Sequence, residues 1–192
     1  MTDGIKRPLR HHRTIAGLFS QACARSTSLV FVSSVLLGTM VLDQVTKWAA
    51  LTFLSGPPYK VEVTPFFDLS LGFNTGVSFG FFGGVFSNQQ WPLIAITIAI
   101  AVALTVWALR MNRLLEALAI ALIAGGAFGN IIDRIRQGAV TDFLDFHVMG
   151  WHWPAFNFAD VFIFIGAASL LILSFITPEA NEAKRGETKN EP

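Results

Sequence analysis

Four stretches of this chain are apolar for about as long as a membrane is thick. A bilayer's hydrocarbon core, about 30 Å deep, takes about 20 apolar residues wound as a helix. Residues 28–53, 91–109, 114–132 and 159–176 meet that requirement approximately. The composition agrees: 53% of residues are hydrophobic and 14% are charged, against about 25% charged in soluble domains. Mean hydropathy is +0.54. The expected fold class is an α-helical integral membrane protein with four transmembrane helices.

Between the first two spans lies a mixed stretch, residues 54–90, rich in Gly, Pro and Phe. Its segment "KVEVTPFFDLSLGF" alternates in the manner of strands, so a small β-rich unit is expected there. A second non-spanning stretch covers 133–158. The chain then divides into a basic N-terminal segment (1–27), a four-span domain (28–176) and a polar tail (177–192). The tail ends in "NEAKRGETKNEP", which has the composition of a disordered segment.

Positive charge orients the spans. Lys6, Arg7, Arg10, Arg13 and Arg25 precede the first, Arg110 and Arg113 join the second to the third, and Lys184, Arg185 and Lys189 follow the fourth. With four spans these places share one side, facing only Lys60, Arg134 and Arg136 across the bilayer. The positive-inside rule puts both termini in the cytoplasm and the two mixed stretches outside. Trp48, Trp91, Trp151 and Trp153 then fall near the outer surface as an aromatic belt. The first span follows a basic region but is long and lacks a small-residue cleavage site, so it reads as a retained anchor.

Several function classes drop out. A net charge of +1, with no basic stripe interleaved with aromatics, does not suit a nucleic-acid binder. The single cysteine, Cys23, can form no intramolecular disulfide. Its place near a membrane edge suits acylation or an inert thiol. No repeat marks an inverted-symmetry transporter. There is no H-E-x-x-H and no G-x-S-x-G. The "FGFFGG" stretch lacks the lysine of a phosphate loop, and His11 and His12 form no evident dyad with Cys23. Asp145, His147 and His152 could be drawn as metal ligands, but their spacing fits no closed zinc pattern.

Ionisable residues at membrane depth cost free energy and are functional candidates. Asp43 and Lys47, in "LDQVTKWAA", share a helical face in the favourable acid-first order. They read as a neutralised pair between helices or as part of a site. In "GGAFGNIIDRIRQG", Gly125, Gly126 and Gly129 permit close helix approach. Asn130 and Asp133 share a face, and Arg134 and Arg136 are the nearby cations. The plain alternative is a polar helix exit with snorkelling arginines. In "VTDFLDFHV" neither parity is cleanly apolar, and one helical turn would expose both Asp142 and Asp145.

Compensation sorts these acids. Asp43 has Lys47 and Asp133 has arginines close by, while Asp142, Asp145 and Asp160 have no adjacent cation. Two such carboxyls brought together near apolar surface cannot both ionise cheaply and would share a proton. That suits water-mediated amide hydrolysis at the outer face. Asp160, at the head of the fourth span in "FNFADVFIFIGAASLLILSF", has the most defined depth, but sequence leaves the choice among the three open. A proton- or ion-conducting relay is the competing use of buried acids, and a helical scaffold subunit is a third. The outer placement of the acids argues against a full relay.

The chain resembles the lipoprotein signal peptidases (signal peptidase II). The motifs are "DQVTK" (43–47), "NTGVSFG" (74–80), "GGAFGNIIDR" (125–134), "VTDF" (140–143) and "FNFAD" (156–160), in order across nearly the whole region from first span to fourth. The resemblance implies an aspartyl peptidase of the bacterial plasma membrane whose catalytic pair is Asp142 and Asp160, with Asp145 a bystander. It implies supporting or substrate-holding roles for Asp43, Lys47, Asn74, Gly126, Asn130, Asp133, Arg134 and Asn157. Asn130, Asn157 and Arg134 are the residues expected to orient the pair. Phe128 and Val161 stand where other members often carry Leu and Ser. The implied substrate is a prolipoprotein with a diacylglyceryl cysteine, cut just before that cysteine by a monomeric enzyme in contact with membrane lipid, with no metal or cofactor. Gly76, Gly80, Gly83 and Gly84 are expected to let part of the 54–90 stretch act as a gate.

Overall fold

The structure, a computed structural model, describes residues 15–76 and 91–176, with side chains along the first helix described from Leu29. Most of the basic N-terminal segment, Gly80, Gly83, Gly84 and the polar tail lie outside the described residues. Four helices form: α1 (Ile15–Leu54), α2 (Trp91–Arg110), α3 (Leu114–Gln137) and α4 (Phe158–Ile176). Each is long and apolar enough to cross a membrane, α1 through its segment Leu29–Leu54.

The bundle is organised around α3, on which α1, α2 and α4 all pack. Lipid is as apolar as a leucine side chain, so helices in a bilayer associate through close packing of small residues. The buried face of α3 supplies Ala117, Ala121, Ala124, Gly125, Gly126 and Gly129. A Cβ on Gly126 would stand 2.5 Å from the Ala159 carbonyl oxygen of α4. A Cβ on Gly125 would stand 2.7 Å from the Leu36 carbonyl oxygen of α1. These contacts are backbone to backbone and leave no room for a methyl group. The outward faces keep large apolar side chains such as Val41, Trp107, Phe164 and Phe175 exposed, as lipid-facing surfaces require.

α3 runs to Gln137, five residues past the apolar run, so Asp133 and Arg134 are helical rather than in a loop. Gly138 ends the helix in the left-handed region (φ 77°), its N–H donating to the Arg134 carbonyl. The chain then enters a strand.

The strands are β1 (Lys60–Thr64), β2 (Phe67–Asn74), β3 (Val140–Val148) and β4 (Trp151–His152), in one antiparallel sheet of order β1-β2-β3-β4. The alternating segment after α1 supplies the β1–β2 hairpin. β3 comes from the second extramembrane stretch and pairs along β2 from Phe67↔Phe146 to Asn74↔Val140. A β-bulge on β2 between Leu69 and Gly72 leaves Gly72 opposite Asp142. An apolar cluster of Ala50, Leu54, Phe143 and Leu144, extended by Phe156 and Phe158, welds the sheet to the ends of α1 and α4.

The tight faces of α3 predict a contrast between glycines. Gly126→Ala should lower stability by about 1–3 kcal/mol, the cost of overpacking. Gly38→Ala, where a Cβ meets nothing within 4 Å, should leave stability unchanged or slightly raised. Thermal unfolding of both variants in detergent checks the difference.

Candidate active site

Among the described residues, the largest fully buried side chain is a lysine. Lys47 on α1 is 2% exposed, and its ammonium contacts three oxygens: Asp43 Oδ2 at 2.9 Å, Asp133 Oδ2 at 3.1 Å and Asn130 Oδ1 at 2.8 Å. An ammonium carries three hydrogens and accepts nothing, so its donor capacity is filled. Sequence proximity suggested Arg134 and Arg136 as the partners of Asp133. The ion pair instead crosses from α3 to α1, because Asp133 lies on the buried face and Arg136 on the exposed one.

Each of the two acids on Lys47 also grips a backbone N–H on a different element. Asp43 Oδ1 accepts from the Ala159 N–H of α4 at 2.9 Å. Asp133 Oδ2 accepts from the Thr141 N–H of β3 at 2.9 Å. The residue after each gripped amide is an aspartate, Asp160 or Asp142. Gln44 completes this layer, donating to Gly129 O and Asp133 Oδ1, both at 3.1 Å. Gly129 has no side chain because the Asp43 carboxylate fills the space a Cβ would need.

Asp142 and Asp160 meet through two amides. Asn157 Nδ2 donates to Asp142 Oδ1 at 2.6 Å, and Asn130 Nδ2 donates to Asp160 Oδ1 at 2.9 Å. The amides touch one another, Asn157 Nδ2 to Asn130 Oδ1, at 3.3 Å. Asn157 and Asp160 also form a reciprocal cap at the head of α4: the Asn157 N–H donates to Asp160 Oδ2, and the Asp160 N–H to Asn157 Oδ1, each at 3.2 Å. Burial pushes the Asp142 carboxyl up to about 6, and the nearby Asp160 charge adds to the shift. Hydrogen bonds from Asn157 and Asn74 and the charge of Lys47 work the other way. Arg134 stands beside this pair, close to Gly76, with the charges of Asp160, Asp142 and Asp133 acting on it. Two carboxyls in each other's field, one of them desolvated, can hold a single proton and act on water as an acid and a base.

This arrangement has relatives. Residues 35–176 match the signal peptidase (SPase) II family. The chain belongs to that family of aspartic peptidases. It is 38% identical to the lipoprotein signal peptidase of Hydrogenovibrio crunogenus, over 85% of this chain and 96% of that one. With the lipoprotein signal peptidase of Burkholderia thailandensis the identity is 45%, covering 69% and 80%. Among solved structures, a bacterial membrane enzyme determined by the in meso method at 1.9 Å superposes with a TM-score of 0.64 at 30% identity, over 80% of this chain and 94% of the other.

In this signal peptidase II, the segment "VTDFLDFHV" is a strand and not the helical turn its acids suggested. Residues three apart on a strand point to opposite faces. Asp142 therefore turns into the buried network, while Asp145 joins a separate set of charges on the sheet. Asp145 pairs with His152 Nδ1 at 2.9 Å, so it has a partner that sequence neighbours did not reveal. Directly opposite it in the register is Asp68, fully buried and bound by Lys60 Nζ at 2.7 Å and His147 Nε2 at 2.8 Å. The hydrogen bond from Lys60 holds the Asp68 carboxyl below the ordinary carboxylate range, with His147 helping, against the effect of burial. The two histidines thus serve different carboxylates. No group of three or more His, Cys, Asp or Glu that could hold a metal ion occurs among the described residues.

Sequence reading passed over Asp68 and Gln44. Asp68 sits in an alternating strand where an acid looks solvated, yet it is fully buried between β1 and β3. Gln44 is adjacent to Asp43 and carries no charge, so the sequence pattern does not set it apart.

Two outcomes follow from these energetics. The fold favours protonated Asp142, raised from 3.8 to about 6, so that stabilisation is complete at low pH and lost as pH rises through about 6. Asp142→Asn keeps the acceptor for Asn157 and has nothing to ionise. Its Tm relative to the parent should climb between about pH 4 and pH 7, read by thermal unfolding in detergent; a constant offset contradicts this. Lys47→Met leaves two buried carboxylates without their cation and should cost about 3–5 kcal/mol, measured in the same way.

Proposed function

We propose that this signal peptidase II removes the signal peptide from prolipoproteins bearing a diacylglyceryl cysteine, cutting just before that cysteine at the outer face of the bacterial plasma membrane. The observation that carries the reading is the convergence of Asp142 and Asp160, from a strand and a helix, onto two touching amides. The curated relatives, lipoprotein signal peptidases by name, supply the substrate class.

Asp142 and Asp160 share one proton and bind a water. The ionised carboxyl takes a proton from the water as its oxygen attacks the scissile carbonyl carbon. The carbonyl's π electrons move to oxygen, and the protonated carboxyl donates a hydrogen bond to the developing oxyanion. As the adduct collapses, the C–N bond breaks, and the leaving nitrogen takes up the proton that came from water. No covalent enzyme intermediate, metal or cofactor enters this route. Asn130, Asn157 and Arg134 orient the pair, and Asp43, Lys47, Asn74, Gly126 and Asp133 shape the site.

The orientation follows from charge. Arg110 and Arg113 lie at the α2–α3 turn, away from the sheet, and the remaining basic clusters flank the chain ends. Both termini are then cytoplasmic, and the sheet and the acids face the periplasm. A lipid-bearing substrate stays in the bilayer and reaches a site at this depth sideways, as a helix among helices. The enzyme acts as a monomer.

The test is incubation of the purified protein with a lipid-modified prolipoprotein and mass determination of the products. The parent should yield a mature chain beginning at the lipidated cysteine, with EDTA leaving the rate unchanged. Asp142→Asn and Asp160→Asn should each reduce cleavage by about a thousandfold or more while unfolding cooperatively. Turnover retained in either variant rules out the pair.

A further inference from the structure

Resting on that reading of the pair, we infer that its two members are not equivalent. In the resting enzyme Asp160 is the carboxylate, Asp142 carries the proton, and Lys47 enforces the difference as a positioning residue acting through Asn130.

An amide side chain can turn over and exchange its oxygen for its nitrogen, and its orientation follows from its partners. Here both amides face groups that can only donate. Asn130 Oδ1 receives the Lys47 ammonium at 2.8 Å, so Asn130 must present Nδ2 to Asp160, where it donates at 2.9 Å. Asn157 Oδ1 receives the Asp160 backbone N–H at 3.2 Å, so Asn157 must present Nδ2 to Asp142, donating at 2.6 Å. Turning either amide over would bring its nitrogen against a donor, and turning Asn130 over would also bring its oxygen against the Asp160 carboxylate.

The consequences for the two acids differ. Both oxygens of Asp160 accept N–H donors, Oδ1 from Asn130 and Oδ2 from the Asn157 backbone. Asp160 also lies in the first turn of α4, where the helix dipole favours an anion. Asp142 is more buried than Asp160 and lies on a strand. It has Asn157 on Oδ1 and the Asn74 side chain as a further donor. The charged groups facing the pair are Asp43 and Lys47 from α1 and Asp133 and Arg134 from α3. Lys47 pairs with both Asp43 and Asp133 and its charge also reaches Asp142, while Arg134 is a second cation facing the dyad. The proton shared by the two acids therefore rests on Asp142. Asp160 is the base that receives the water's proton, and Asp142 donates to the carbonyl oxygen.

Infrared spectroscopy of the full protein in detergent, at about pH 5, distinguishes the two acids. The parent spectrum minus that of Asp142→Asn should contain the C=O band of a protonated carboxyl. The parent spectrum minus that of Asp160→Asn should contain carboxylate bands in its place. The reverse assignment overturns the inference, as does a protonated-carboxyl band that persists unchanged in Asp142→Asn. Cleavage assays on the same two variants keep the questions apart. If either variant cleaves, the pair itself fails whatever the spectra show. If both are inactive and the band belongs to Asp160, only the placement of the proton fails.

The positioning role has its own readout. Asn130→Leu removes the donor to Asp160 while Lys47 keeps both of its carboxylates. kcat should fall about a hundredfold with KM within about twofold, and the acidic limb of the kcat profile should move to higher pH. A loss confined to KM or to stability, with the limb unmoved, overturns the role assigned to Lys47 and Asn130.

Discussion

One buried ammonium organises this molecule. Removing a charge from water costs several kcal/mol even after relaxation, and the cost is recovered only where geometry supplies enough partners. Lys47 has three oxygens for its three hydrogens. Through Asp43 it holds the backbone before Asp160, through Asp133 the backbone before Asp142, and through Asn130 the Asp160 carboxylate itself. The group that makes the interior electrically tolerable thus also places both acids. Packing and site cannot be altered independently.

The helix packing exists to let that network close. Glycines on α3 bring α1 and α4 within backbone contact, and the space at Gly129 is taken by the Asp43 carboxylate. The sheet closes the other side. β3 follows α3 after a single glycine cap, pairs with β2 and carries Asp142 under the end of the bundle. Four elements, α1, α3, β3 and α4, therefore contribute to one small polar interior surrounded by apolar surface. The two carboxyls it holds are oriented by hydrogen bonds from the amides.

A second charge system stays on the sheet. Asp68 and Asp145 lie opposite one another in the register, an arrangement that repels when left unpaired. His147 with Lys60 serves the first, and His152 serves the second. Each of these acids therefore has partners of its own within the sheet, apart from the pair on the amides.

Much of this architecture was legible along the chain. Four runs of sufficient length demanded four helices, because unpaired backbone groups cannot remain in hydrocarbon. Asp43, Lys47, Asn130, Asp133 and Asp160 stood out because they contradict the apolar pattern around them, and such contradictions mark sites. The alternation over residues 60–73 announced the first hairpin. Partnership was not legible. Asp133 looked paired with its neighbouring arginines yet binds a lysine 86 positions earlier on another helix. "VTDFLDFHV" carried no clean period, because β3 is buried along its first half and exposed at alternate residues in its second. Hydrophobic periodicity records only how a segment meets solvent or lipid, one element at a time. Which cation lies against which acid, and which way an amide must face, depends on groups brought together by folding, and tertiary structure alone decided them.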